Sequence, residues 1–248
     1  MTQKCGESFT SSTGLECGAS GMQGWRVEME DAHIAVDIPS KPNHLFLGVW
    51  DGHAGNGAAK YAADNLVNVL QSTREWKLYL ENGEENVELL SQALIEAFLK
   101  IDISIKAFQE STLGEDTSGC TSVTAIVTPK FIVCANAGDS RCVMGSNGES
   151  MQLSDDHKPT LLIERTRIEN AGGIVQWGRV DGDLAVSRAL GDFGYKDRPD
   201  LPQDAQKVTT THPFSADVQL IDINSLIVYV YLSFIVSVGV VLSGHQDP

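Results

Sequence analysis

Four apolar, β-rich segments follow one another between residues 120 and 153 with almost no chain between them. CTSVTAIVT (120–128) turns at Pro129-Lys130 into FIVCANA (131–137), Gly138-Asp139 lead to RCVMG (141–145), and Ser146-Asn147-Gly148 lead to ESMQL (149–153). A parallel crossover needs about a dozen residues or more, so segments joined this tightly are antiparallel. Asn-Gly tolerates the positive φ of a hairpin turn, which suits the last connection. A chain carrying this stretch must build antiparallel sheet.

Helices have to cover that sheet. Residues 88–110 place Leu90, Leu94, Ala97, Phe98, Ile101, Ile105 and Phe108 at three- and four-residue spacing, a single apolar stripe. Residues 54–70 do the same with Ala58, Ala62, Leu66 and Val69, after a short buried strand, LFLGVW (45–50). Residues 160–171 read as a helix ended by Gly172-Gly173. Residues 174–215 are loop-rich, with a strand around Gln206–Thr210, and ADVQLIDI (216–223) alternates as a strand does. The fold class is α+β, antiparallel sheet with long helices packed on it.

Charge narrows the function. With 18 Lys+Arg against 33 Asp+Glu, the net charge of −15 and pI of about 4.7 exclude the basic footprint of a nucleic-acid binder. A hydrophobic content of 42% with 21% charged residues is that of a globular chain. The five cysteines contain no C-x-x-C pair, which argues for reduced intracellular thiols over a disulfide framework or a thiolate zinc site. The first residues carry no apolar run of a secretory signal, and Thr2 stands where myristoylation needs glycine. At the other end, Leu226 to Leu242 is an uncharged run of 17 residues, slightly below the roughly 20 that span a bilayer as a helix.

Several segments carry residues with chemistry. In Arg26-Val-Glu-Met-Glu30-Asp31, Glu28 and Glu30 share one face of an extended chain and Asp31 takes the other. These are either a solvated acidic loop or hard oxygen ligands for a divalent cation, with Arg26 beside them to hold an anion. Asp51 ends an apolar strand, Gly52 lets the backbone approach closely enough for its carbonyl to act as a ligand, and His53 can move a proton near neutral pH. The plain alternative is a strand-to-helix turn capped by Asp51. Asp139 sits in a tight connection, as a ligand or as an Asx-type turn. The DDHKP loop (155–159) and LAVSRALGD (184–192) are rich in hydrogen-bonding and turn residues. Gly55 and Gly57 imitate a dinucleotide fingerprint, but Lys60 replaces its third small residue and antiparallel strands follow, so nucleotide binding is set aside.

The order of these segments is more specific than any one of them. GMQGWRVEMEDAH (21–33), Asp51-Gly-His-Ala-Gly55, SGCTSVTA (118–125), ANAGDSR (135–141), DDHKP (155–159), ERTRIENAGG (164–173) and GRVDGDLAVSRALGDFGYK (178–196) run collinearly, and over residues 18–222 the chain resembles the metal-dependent protein serine/threonine phosphatases of type 2C. The resemblance implies two antiparallel β-sheets sandwiched between helices. It implies two magnesium or manganese ions in a carboxylate cleft, with the water between them as nucleophile and no phospho-enzyme. Asp51 matches the bridging carboxylate, Gly52 the backbone ligand, Glu30 and Asp31 the acidic groups that hold metal waters, and Asp139 the residue of a weaker third metal. Arg26 matches the arginine that grips the phosphate, and His53 the general acid for the departing oxygen. The partners implied are phosphorylated protein substrates, and the expected state is a monomer in the cytoplasm or nucleus.

The resemblance stops after residue 222. The family continues with an Asp-Gly-x-Trp-Asp-like motif and a later Asp-Asn pair, both sources of metal ligands, whereas this chain reads SLIVYVYLSFIVSVGVVLSGHQDP from Ser225. The expected division is an N-terminal extension (1–17), a type 2C-like domain incomplete at its C-terminus (18–222) and a divergent apolar tail (223–248). Metal binding should be weakened. Two functions follow: a phosphoprotein phosphatase, or a catalytically impaired relative that still binds phosphoproteins or the enzyme's partners. For residues 226–242 three readings stand open: a membrane anchor, a surrogate strand filling the gap in the sheet, or an altered reading of the gene. So much apolar surface cannot stay in water, at about 1.5–3 kcal/mol per large side chain, so aggregation and membrane association are expected ahead of surrogate packing.

Overall fold

The computed structural model describes residues 4–82, 86–146, 148–210, 219–220, 226–231 and 236–241. In chain order the elements are β1 (Lys4–Thr10), β2 (Glu16–Met22), β3 (Ala32–Ile38), β4 (Lys41–Trp50), β5 (Gly52–His53), α1 (Gly57–Ser72), α2 (Arg74–Asn82) and α3 (Val87–Ser111). They continue with β6 (Gly119–Cys120), β7 (Ser122–Val127), β8 (Phe131–Ala137), β9 (Arg141–Ser146), β10 (Glu149–Gln152), α4 (Leu162–Asn170), β11 (Val175–Gln176) and β12 (Arg179–Val180). Last come β13 (Leu190–Gly191), β14 (Gln219–Leu220), β15 (Leu226–Tyr231) and β16 (Val236–Val241).

Two antiparallel sheets form the body, in the orders β14-β8-β7-β4-β3 and β1-β2-β16-β15-β9-β10. The alternation of strand side chains divides the core in two. Leu45, Leu47 and Val49 of β4 join Val123, Ala125, Ile132 and Cys134 on the inner face, against Cys17, Cys142, Met144, Val228 and Val230 of the second sheet. Phe46 and Trp50 point the other way, with Ile126 and Val133, into the layer of α1, α2 and α3. Burial on both faces explains why β4 reads as an unbroken apolar run. The stripes of α1 and α3 are the buried ones, Ala58, Ala62 and Leu66 on the first, Leu90, Leu94, Phe98, Ile101 and Ile105 on the second.

One expectation about the strand cluster needs correction. The pairs β7–β8 and β9–β10 are antiparallel neighbours, but β8 and β9 belong to different sheets. The connection at Gly138-Asp139-Ser140 carries the chain from one layer to the other, so a short link here marks a change of sheet and not a hairpin. No strand forms at Gln206–Thr210 beyond one bridge between Thr209 and Arg188. Of the alternating segment 216–223, Gln219–Leu220 pairs with β8 and the remainder lies outside the described residues, as does the turn residue 147.

The apolar tail is also corrected. Among the described residues no helix is long and apolar enough to cross a membrane. Leu226–Tyr231 and Val236–Val241 instead form β15 and β16, an antiparallel pair set between β9 and β2. Val228 lies opposite Met144 and Val230 opposite Cys142, and both valines are buried in the inner core. The backbone of this strand pair is hydrogen-bonded to neighbours on either side, which satisfies its polar groups within a sheet and not as a spanning helix. The membrane association expected of residues 226–242, as partner and as location, is overturned by this pairing, and surrogate packing, ranked last from the sequence, is what the chain adopts.

Candidate functional site

The sheet-to-sheet seam positions the acidic residues. Asp51 follows β4, and its N–H donates to Thr121 Oγ1 at 3.0 Å while Thr121 N–H donates to the Asp51 carbonyl at 2.9 Å. That reciprocal pair ties the end of β4 to the start of β7. Just beyond, β5 pairs with β6, Gly52 opposite Cys120 and His53 opposite Gly119. A Cβ on Gly52 would lie 2.2 Å from the Glu30 carbonyl oxygen, so only glycine lets the 23–31 segment close onto this turn. Glu30 Oε1 then accepts from Gly55 N–H at 2.7 Å, which fixes the same contact from the side chain.

This packing brings Asp31 and Asp51 together. Their carboxyl groups lie close enough for each to act on the titration of the other. Burial, followed by the charge of Asp51, pushes Asp31 up to about 7, against the opposing charge of Arg26. Asp51 is raised above its ordinary value by burial and by the charge of Asp139, with Arg26 and His53 opposing. Two half-buried carboxyls competing for one proton are what like charges at close range produce. Arg26 is itself exposed on the 23–31 segment, as is Glu28.

The other two residues have partners that the sequence did not announce. Asp139 forms a close ion pair with Lys158 of the DDHKP loop. His53 bonds through Nε2 to both carboxylate oxygens of Asp192, at 2.9 and 2.8 Å. Burial alone would lower the His53 imidazole, but the hydrogen bond and charge of Asp192, with Asp51 and Glu30 behind, raise it above its ordinary value. The loop that carries Lys158 is itself anchored: His157 is buried, and its Nδ1 accepts from Gly138 N–H at 3.1 Å. Burial, and then the charge of Arg188, push His157 down to about 4, so it sits in the fold as a neutral acceptor. Asp192 and Lys158 stood inside quoted motifs, but nothing local in the sequence says which residue each will meet.

The fit to a metal was tested on these groups. The carboxylates of Asp31 and Asp51 and the Gly52 carbonyl are oxygen donors, which suit a hard divalent cation. A cation at Asp31 and Asp51 would take the place of the proton they compete for. Among the described residues, however, no group of three or more His, Cys, Asp or Glu is gathered closely enough to hold a metal ion. The donor chemistry fits and the donor number is small.

Comparison with known proteins gives the same family as the motifs. The sequence profile described as Protein phosphatase 2C matches residues 15–228. The chain is 45% identical over 202 residues to Protein phosphatase 2C homolog 2 of Schizosaccharomyces pombe, covering 79% of this chain and 51% of that protein. It is 44% identical over 188 residues to Protein phosphatase 1B of Mus musculus, covering 74% and 48%. The crystal structure of a serine-threonine phosphatase 2C from Toxoplasma gondii superposes with a TM-score of 0.75 over 93% of this chain and 82% of that one, at 22% identity, and so shares the fold. The chain spans about half the length of the curated relatives it matches. With a family profile covering most of its residues, and with the fold and the collinear motifs in agreement, the chain belongs to the Protein phosphatase 2C family.

Proposed function

We propose that this chain hydrolyses phosphoserine and phosphothreonine in proteins, with magnesium or manganese as its metal. The observation that carries the reading is the contact of Asp31 with Asp51 beside Arg26 and His53. The carboxylates of Asp51 and Asp31 and the Gly52 carbonyl would hold the cation, with Glu30 and Asp139 as further acidic groups. A divalent cation supplies Lewis-acid activation of water and neutralises charge on the phosphate. Arg26 offers a planar fork for the phosphate oxygens. His53 gives a proton to the departing serine or threonine oxygen.

The test is manganese-dependent hydrolysis of a phosphothreonine peptide by the full chain, paired with calorimetric titration of the metal. Asp51→Ala should abolish measurable metal binding, and equal affinity in the variant removes Asp51 as a ligand. Arg26→Ala should raise KM about ten- to a hundredfold, the value of one or two charge-assisted hydrogen bonds. His53→Gln should lower kcat more on the peptide than on an activated aryl phosphate, whose leaving group needs no proton. An equal loss on both substrates makes His53 structural.

A second reading, a catalytically impaired relative that still captures phosphoproteins, is favoured by the small donor number among the described residues and by the pairing of Asp139 with Lys158. It predicts binding of a phosphopeptide that Arg26→Ala weakens, with no turnover at any manganese concentration.

A further inference from the structure

We propose that Asp192 is the positioning residue for His53: it accepts the hydrogen bond of Nε2–H, fixes the rotation of the ring and leaves Nδ1 as the nitrogen that serves the reaction. Its kinetic consequence rests on the phosphatase reading, but the pairing itself does not.

Four features converge on this one contact. Asp192 is 6% exposed, and both of its oxygens lie within 2.9 Å of Nε2. Its backbone is left-handed, at φ 53° and ψ 40°, a conformation that costs a non-glycine residue of order 1 kcal/mol and persists only where the surroundings over-determine it. The space for its carboxylate exists because residue 119 is glycine, since a Cβ there would lie 2.3 Å from Asp192 Oδ1. The strand order β13-β6-β5 then sets Asp192, just after β13, across β6 from His53 on β5.

A buried ion pair holds the strained turn from behind. Gly191 N–H donates to Asp102 Oδ1 at 2.8 Å, and Lys196 Nζ donates to both oxygens of Asp102 and to the Ala189 carbonyl, each at 2.9 Å. The side chains of Asp102 and Lys196 are 2% and 5% exposed, in the middle of α3 and beyond the turn. An acid buried in the apolar stripe of a helix has a reason to be there if it fixes the peptide that aims Asp192. A carboxylate that holds one ring nitrogen of a histidine sets the role of the other nitrogen, as the orienting acid does in a hydrolytic triad.

The decisive experiment does not need turnover. In the full chain with 15N-labelled histidine rings, a slowly exchanging Nε2–H resonance is expected, assigned to His53 by its loss in His53→Gln. Asp192→Gly, whose backbone accepts the left-handed turn freely, should abolish that resonance with the far-UV circular dichroism unchanged. Asp192→Asn, which keeps the shape, should accelerate its exchange with water. Survival of the resonance in the first variant, or an unchanged exchange rate in the second, overturns the proposal. On a phosphothreonine peptide, Asp192→Asn should lower kcat about ten- to a hundredfold at unchanged KM, and have no further effect in the His53→Gln background. Independent, multiplying losses overturn the pairing as a catalytic device. A wild-type chain without turnover sinks the phosphatase reading and leaves the labelled-ring result to decide the contact alone.

Discussion

A chain ending at residue 222 is expected to lose cooperative folding. The second sheet would fall into two pieces, β1-β2 and β9-β10, because β15 and β16 are the strands between them. The inner core would lose Val228 and Val230, each buried to within 1%. At about 1.5–3 kcal/mol per fully buried side chain these two alone amount to several kcal/mol, of the order of a whole domain's stability. Tyr231 also lies opposite Arg141 in the sheet, and Arg141 holds Asp156 at 2.7 Å, so the loss reaches the loop beside Asp139. Thermal unfolding of residues 1–222 beside the full chain measures this. A melting temperature equal to that of the full chain, in a soluble monomer, rejects the structural role of the two strands.

The second large effect is expected at Glu164. This glutamate is 1% exposed and accepts from Arg167 Nη1 at 2.8 Å, Arg188 Nη2 at 2.5 Å and Ser187 Oγ at 2.6 Å. Burial would raise its carboxyl, but the two guanidinium groups and the serine outweigh it and hold the group down at about 2. Glu164→Ala leaves two cations facing each other without a counter-charge, and removal of one partner from a buried pair costs about 3–5 kcal/mol. The sign of the pH dependence follows from the lowered value. The unfolded chain takes up the proton near 4.5 and the folded chain near 2, so this stabilisation is full above about 4.5 and is lost as the pH falls toward 2. The drop corresponds to about 3 kcal/mol. Urea unfolding of the wild type and Glu164→Gln should therefore show a gap in stability at pH 7 that closes over that window. A gap independent of pH rejects the ionised glutamate as its source.

Much of the body was legible where a segment is long, periodic and buried. The stripe of α3 and the double-sided apolar run of β4 could be read from side-chain spacing alone, because burial on a known face leaves few alternatives. The polar strands β1 and β2, the half-buried strand β3 and the helix α2 could not. α2 is rich in charged and polar residues and buries little besides Trp76 and Tyr79. The change of sheet between β8 and β9 was hidden for another reason: the length of a link limits pairing direction but does not choose a partner. At the candidate site, Asp31, Asp51 and Gly52 stand out through motifs whose members are close in sequence, and their roles belong to the proposal. Asp192 meets His53 across 139 residues, and the contact depends on a strained backbone and a missing Cβ, neither of which has a local signature.

The arrangement of the second sheet also bears on how the chain reaches its fold. Its middle is closed by segments far apart in the sequence, with Val228 opposite Met144 and, across most of the chain, Val240 opposite Cys17. Contacts of such high sequence separation form late, after the entropy of closing nearly the entire chain has been met. Until then β2 and β9 each present an unpaired edge beside an open apolar layer, a template for strands of other molecules. Slow refolding is therefore expected, with yields that fall as protein concentration rises.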